Sequence, residues 1–233
     1  MTSRTNTKYT EIQDVQGRPL LLDFWVSPFC MRVKIALNEK GLQYEARPKD
    51  LFGGKSELLL NSNPIYKKVP VFLHDGKPLC ESTIIVSCID ETRSSPPLPP
   101  PCSYGRAQAL FWAYYIDKKV FDACGNIWRC KGEVPLEAKN EFIEILKQLE
   151  EALGDKDYIN DDTFRFVDII AISLTSWFFS VEKIDELTVA DHCPNFPSWM
   201  KRCLQRECVA KVVPEPEKVY ELVLMFRKIQ GID

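Results

Sequence analysis

Ser27 stands where an apolar run, Leu20 to Val26, gives way to a helical pattern, in the segment Ser27-Pro28-Phe29-Cys30-Met31-Arg32-Val33. Proline is favoured at the first position of a helix, where its missing N–H costs nothing, so Pro28 opens the helix and Ser27 caps it. The helix is predicted to run to about Lys40, with Gly41 as its stop. Its N-terminus offers unpaired backbone N–H groups and the positive end of the helix dipole, and both favour an anion. Ser27 and Cys30 also occupy the ends of what would be a C-x-x-C pair if the first residue were cysteine. Redox proteins place such a pair at the start of a helix in a βαβ setting. Here the first position is an alcohol, too weakly acidic to be a redox nucleophile. What remains is a hydroxyl able to donate a hydrogen bond to a thiolate brought by another molecule. Ser-Pro alone marks only a helix start, so the elements around it must decide.

Composition bounds those elements. The chain has 233 residues, 45% of them hydrophobic, enough for one large or two modest domains with their own cores. A net charge of −3 with both signs interspersed leaves no basic footprint, so neither nucleic acid nor an anionic membrane is an expected partner. The longest apolar stretch, Phe166 to Val181, is interrupted by Asp168 and is short for a bilayer span, so it reads as a buried helix. The polar N-terminus shows no signal-peptide apolar region. Nine cysteines without a single C-x-x-C pair match neither a disulfide framework nor a zinc ribbon. Reduced thiols and a cytoplasmic location are expected. His74 and His192 have no third partner for a triad or a metal site, so no metal is expected.

Along the chain, residues 1–18 are polar and aperiodic and are read as a flexible extension. After the first strand and helix come a short alternating strand at 43–47, a Gly53-Gly54 turn and a small helix at about 56–61. Residues 69–74 and 77–80, joined by Asp75-Gly76, form a β-hairpin, and Glu81-Ser82 leads a helix to about Thr92. The order is β-α-β-α-β-β-α. Ser94 to Pro101 is too rich in proline for helix or sheet and marks a domain boundary. Downstream, helical periodicity covers about 104–130, 136–153, 167–181, 197–205 and 216–229. The expected domains are 19–94 (α/β) and 105–233 (all-α), joined by a linker at 95–104.

The motifs on this frame are Ser27-Pro28-Phe29 with Met31-Arg32-Val33, Asn63-Pro64 with Lys67-Lys68-Val69-Pro70-Val71, and Gly76-Lys77-Pro78 with Glu81-Ser82 and Ile89-Asp90-Glu91. Arg106-Ala107-Gln108-Ala109, Phe111-Trp112, Asp117-Lys118-Lys119, Phe166-Val167-Asp168-Ile169, Cys193-Pro194 and Trp199 continue the set. From about residue 19 onward, this ordered set resembles the cytosolic glutathione transferases and, more closely, their plant tau class. The resemblance implies a thioredoxin-like α/β domain followed by an all-α domain, a homodimer, and a detoxifying enzyme. It would use glutathione as cosubstrate and no other cofactor to conjugate hydrophobic electrophiles, with peroxide reduction as a side activity. It also implies that Ser27 stabilises the glutathione thiolate and Lys55 meets the glycyl carboxylate. The Val69 backbone, before a cis bond to Pro70, would pair with the cysteinyl unit. Glu81 would take the γ-glutamyl ammonium, and Ser82 the γ-glutamyl carboxylate. An apolar cleft between the domains would be lined by Phe29, Phe121, Gly125, Trp128, Trp177 and Phe226.

The energetics fit a hydroxyl acting without a base or a metal. Lowering a thiol pKa from about 8.5 by two units needs about 2.7 kcal/mol. A hydrogen bond to the thiolate supplies about 1.5–3 kcal/mol and the helix terminus about 0.3–1. Several positions depart from the tau pattern. Phe121 replaces a frequent tyrosine and Gly125 a long basic residue, so a less polar, wider pocket is expected. Arg165 replaces a small N-cap three residues before Asp168, so half a capping box is missing. Cys30 stands where glycine is frequent. Two alternatives remain at this point: a non-catalytic carrier of hydrophobic ligands or glutathione conjugates, and a Cys30-dependent thiol transferase or dehydroascorbate reductase.

Overall fold

The computed structural model describes residues 18–49 and 54–233. The predicted N-terminal extension up to residue 17, and Gly53 of the predicted Gly53-Gly54 turn, lie outside the described residues. The chain divides into two compact units, residues 1–96 and 97–233.

The first unit holds strands β1 (Leu20–Asp23), β2 (Glu45–Pro48), β3 (Val71–His74) and β4 (Lys77–Cys80), and helices α1 (Pro28–Glu39), α2 (Glu57–Ser62) and α3 (Ser82–Thr92). The sheet order is β2-β1-β3-β4, with β1 parallel to β2 and antiparallel to β3, which pairs antiparallel with β4. The predicted element order is therefore observed. β1 is shorter than the apolar run that announced it, because the chain turns after Asp23 and the Ser27 N–H donates to the Phe24 carbonyl at 2.9 Å. Val26 is apolar because it is buried, not because it belongs to a strand.

Leu20 and Leu22 of β1, Val71 and Leu73 of β3, and Leu59 of α2 form one buried cluster. Alternation along a strand turns Leu21 and Phe72 to the other face, and both are buried as well. α1 packs on α3. The ammonium of Lys40, the C-cap of α1, is itself buried; it binds Asp90 Oδ1 of α3 at 2.5 Å and the Pro96 carbonyl.

The second unit is helical: α4 (Ser103–Tyr115), α5 (Phe121–Trp128), α6 (Leu136–Leu153), α7 (Phe166–Asp185), α8 (Val189–His192), α9 (Phe196–Leu204), α10 (Glu207–Ala210) and α11 (Pro216–Ile229). A single helix predicted at 104–130 is instead α4 and α5 joined by a π-helical turn at Ile116–Val120. The looser hydrogen-bond step changes the helical phase without any glycine or proline to signal it. α7 is buried nearly all round and packs against α4, α5, α9 and α11. It continues past the predicted end at Val181 to Asp185, whose carboxylate pairs with Lys139 of α6 at 2.5 Å.

Asp168, in the first turn of α7, is fully buried. Its Oδ1 accepts from the Ile159 N–H at 3.0 Å and the Trp199 indole N–H at 2.9 Å, and its Oδ2 from the Arg165 N–H at 2.9 Å. This last bond is the half of the capping box that was expected. The guanidinium of Arg165 has no acceptor to complete the other half. It turns away instead, to Asp161 Oδ2 at 2.7 Å and the Pro97 carbonyl at 3.3 Å. Burial pushes the Asp168 carboxyl from 3.8 up to about 6, against the pull of its N–H donors.

Asp168→Asn keeps the shape but sets an amide NH2 against one of three donors, so urea unfolding at pH 7.5 is expected to show a loss of about 1–3 kcal/mol. An acid with a raised folded pKa binds more protons folded than unfolded between about pH 4 and 6, so its contribution declines as pH rises through that window. The gap between wild type and the non-titrating Asp168→Asn is therefore expected to be wider at pH 4.5 than at pH 7.5, by about 2 kcal/mol. A pH-independent gap would contradict the raised carboxyl.

Candidate functional site

Strand register gathers the first-unit candidates. Leu22 of β1 pairs with Val71 of β3, and Val71 pairs with Cys80 of β4. The end of β1 that leads to Ser27, the start of β3 that follows Val69-Pro70, and the end of β4 that leads to Glu81-Ser82 thus share one end of the sheet. The parallel pair Asp23 and Pro48 brings the end of β2, upstream of Lys55, to that same end.

Ser27 is the N-cap of α1, with extended backbone angles (φ −68°, ψ 117°), and is half-buried. Its Oγ accepts a long 3.4 Å hydrogen bond from the Cys30 N–H. A hydroxyl used as an acceptor keeps its O–H for donation outward. Cys30 is fully buried, and its thiol is pushed up to about 12, first by burial and then by the Asp23 carboxylate. The reactive thiolate that a Cys30-dependent redox enzyme requires is therefore not what this position provides.

The Val69-Pro70 bond is cis. Asn63 is buried and holds the loop that leads to it: its Nδ2 donates to the Lys68 carbonyl at 3.0 Å and its Oδ1 accepts from the Tyr66 N–H at 3.1 Å. Among the described residues, no hydrogen bond uses the amide or carbonyl of Val69. Glu81 is exposed and sits before α3 at φ 68°, ψ 112°, a conformation L side chains rarely adopt. Such a residue costs about 1–3 kcal/mol and is characteristic of functional positions. Lys55 is exposed beside Ser56, whose Oγ caps α2 by accepting from the Leu59 N–H at 3.3 Å.

Ser82 opens α3 and is buried. Its Oγ accepts from Arg32 Nη1 at 3.3 Å, and the Arg32 guanidinium also lies 4.9 Å from the centre of the Phe29 ring. Sequence reasoning had no role for Arg32. The signal was a charged residue in the helical register of buried Pro28 and Ala36, four residues away on either side. Arg32 is fully buried and sets a permanent positive charge beside the helix start that was expected to bind a carboxylate.

In the second unit, Trp128 of α5 lies 5.8 Å from Trp177 of α7 and 6.3 Å from Phe226 of α11, ring centre to ring centre. Arg227, the residue after Phe226, donates to the carbonyls of Trp128 at 2.8 Å and Cys130 at 3.0 Å, and pairs with Asp233. This ties α11 to the end of α5, and sequence reasoning missed it as well. Phe121 opens α5 and is half-buried. Gly125 does not leave the open, less polar space that was expected. A Cβ there would lie 2.3 Å from Nη1 of Arg129, whose guanidinium occupies that room. A separate cavity of about 560 Å³ between α7 and α9, lined by Phe178, Phe179, Val189 and Met200, contains none of these residues.

Among the described residues there is no group of three or more His, Cys, Asp or Glu that could hold a metal ion, and no helix is long and apolar enough to cross a membrane.

Two family models match the chain: Glutathione S-transferase, N-terminal domain, over residues 21–97, and Glutathione S-transferase, C-terminal domain, over residues 106–207. Glutathione S-transferase U19 of Arabidopsis thaliana is 51% identical over 210 residues, 90% of this chain and 95% of that one. The probable glutathione S-transferase parC of Nicotiana tabacum is 49% identical over 216 residues, 92% and 97% of the two chains. Rice GST1, solved in complex with glutathione, superposes with a TM-score of 0.86 at 42% identity, covering 91% of this chain and 98% of that one. The tau class glutathione S-transferase from mango, Mangifera indica, gives 0.84 at 35% identity, covering 89% and 98%. With the sheet-end geometry and these relatives in agreement, the chain belongs to the glutathione S-transferase family, in its plant tau class.

Proposed function

We propose that this chain conjugates the thiolate of glutathione to hydrophobic electrophiles, with Ser27 stabilising the thiolate. The observation that carries the reading is the strand register, which brings Ser27, Val69-Pro70 and Glu81-Ser82 to one end of the sheet. Glutathione has two carboxylates, an ammonium, a thiol and peptide groups, and each has a complement there. The Ser27 O–H and the start of α1 face the sulfur. The Val69 amide and carbonyl pair with the cysteinyl unit as a neighbouring strand would. Glu81 takes the ammonium. Ser82, backed by Arg32, takes the γ-glutamyl carboxylate at the start of α3, and Lys55 meets the glycyl carboxylate. The thiol proton leaves to solvent, and the thiolate attacks the electrophile directly. The electrophile is held by the aromatic cluster of Trp128, Trp177 and Phe226, with Phe121 and Gly125 on the same α5 helix as Trp128. Glutathione is the only cosubstrate in this reading, which includes a homodimer in the cytoplasm.

Ser27→Ala is expected to lower kcat/KM for glutathione and chlorodinitrobenzene by about 10². The loss of its weak cap costs about 1 kcal/mol of stability. Turnover equal to wild type would remove Ser27 from the mechanism. Glu81→Gly relieves the positive φ, so its thermal stability should equal or exceed wild type, while KM for glutathione should rise at least tenfold. A stable variant with an unchanged KM would take Glu81 out of the site. Iodoacetamide at neutral pH should alkylate the exposed Cys102 and spare the buried Cys30, as read by peptide mass spectrometry. Labelling of Cys30 in the folded protein would restore the redox alternative.

A further inference from the structure

We propose that the cavity between α7 and α9 is a binding site for planar aromatic carboxylates, separate from the candidate glutathione site and from the aromatic cluster. Its volume of about 560 Å³ lies inside the range of about 300–1,000 Å³ that small-molecule sites occupy. Two helix faces meet across it. Thr175, Phe178, Phe179 and Glu182 recur at three- and four-residue steps along α7, and Phe196, Met200 and Leu204 at four-residue steps along α9. Apolar faces of this kind normally interlock, because interiors are close-packed. Here Phe179 and Met200 are only half-buried and Leu204 is exposed, although all three line a concavity. The walls are held by polar contacts: the Trp199 indole of α9 donates to Asp168 of α7 at 2.9 Å, and Glu182 Oε1 accepts from the Val189 N–H of α8 at 2.8 Å. A ligand entering the cavity breaks neither of them.

Three phenylalanine rings and the thioether of Met200 favour a flat aromatic body. The charge at the rim selects its substituent. Lys201 and Gln205 of α9 stand one turn apart, each next in the chain to a residue of the apolar row, and both line the cavity. The Lys201 ammonium makes no hydrogen bond or ion pair with any described residue. With the Gln205 amide it offers N–H donors to both oxygens of a carboxylate. Glu182 is the opposing charge on the α7 wall, but the Val189 N–H already engages it. Lys183 adds a second cation, 5.1 Å from the centre of the Phe179 ring. The uncompensated charge at the cavity is therefore positive, and it suits an anion. No residue assigned to glutathione lines the cavity, so the acid is bound there without being conjugated.

The test is calorimetric titration of the whole chain with naphthoate, neutral naphthalenemethanol and cationic naphthalenemethylamine, in wild type, Lys201→Met, Lys201→Arg and Ala190→Trp. Wild type is expected to bind naphthoate about tenfold more tightly than either other probe. Lys201→Met should weaken naphthoate about tenfold and leave naphthalenemethanol unchanged, while Lys201→Arg keeps most of the preference. Ala190 is exposed and lines the cavity, so Ala190→Trp fills it from the surface and should weaken both probes at least tenfold. Thermal denaturation checks that each variant is folded, and turnover of chlorodinitrobenzene with glutathione should equal wild type in the Lys201 variants. Naphthoate affinity should also persist with S-hexylglutathione in excess, since that compound carries glutathione and an apolar tail. Loss of naphthoate binding under that excess, an equal Kd in Lys201→Met, tighter binding of the amine than of the acid, or no naphthoate binding by wild type would each overturn the proposal.

Discussion

Leu22 pairs with Val71, and Val71 with Cys80; most of the candidate glutathione site depends on those two contacts. Side chains alternate along a strand, so a slip of one residue would turn the buried set Leu20, Leu22, Val71 and Leu73 away from Leu59. The apolar core therefore holds the register. The register, in turn, determines that the end of β1, the start of β3 and the end of β4 converge. The hydroxyl of Ser27, the Val69 backbone and the Glu81-Ser82 helix start come from segments more than fifty residues apart in total span, yet they need no further device to meet.

Around that end of the sheet, local preference gives way to the demands of the site. Glu81 adopts a positive φ that a glycine would accept more readily. Arg32 carries a charge on the apolar face of α1, where it costs desolvation and is offset by Ser82 and the Phe29 ring. Cys30 shows the opposite behaviour. It looks chemically suggestive beside Ser27, but burial holds its proton on, and it behaves as a small packed residue. At this helix start the group left with a proton to donate in a hydrogen bond is therefore the half-buried hydroxyl of Ser27.

The second unit is organised by a buried anion. The carboxylate of Asp168 collects N–H donors from the loop at Ile159, from its own helix start at Arg165 and from Trp199 of α9, so α7 is anchored at its N-terminal end. Because α7 is fixed, Trp177 has a defined place. Arg227 performs the corresponding task for α11 and holds Phe226 against Trp128. The cluster of Trp128, Trp177 and Phe226 is thus positioned by two charged residues, neither of which belongs to it.

The element order, the helix start at Ser27-Pro28, the division into an α/β and an all-α unit, and the ordered motifs were all legible in the sequence. They rest on local chemistry: periodicity, proline and glycine geometry, and turn residues leave their mark on neighbouring positions. The π-helical turn at Ile116–Val120, the buried Arg32 and Lys40, the strained Glu81 and the occupation of Gly125 by Arg129 were not. Each depends on a partner distant along the chain or on space that only packing defines. A lysine whose ammonium is buried against Asp90, fifty residues away, looks in sequence like any surface lysine at a helix end. A missing side chain at Gly125 looks like an opening until a neighbour one turn later is seen to fill it. Sequence determined which groups the protein possesses, and tertiary structure decided which of them are exposed, charged and close enough to act together.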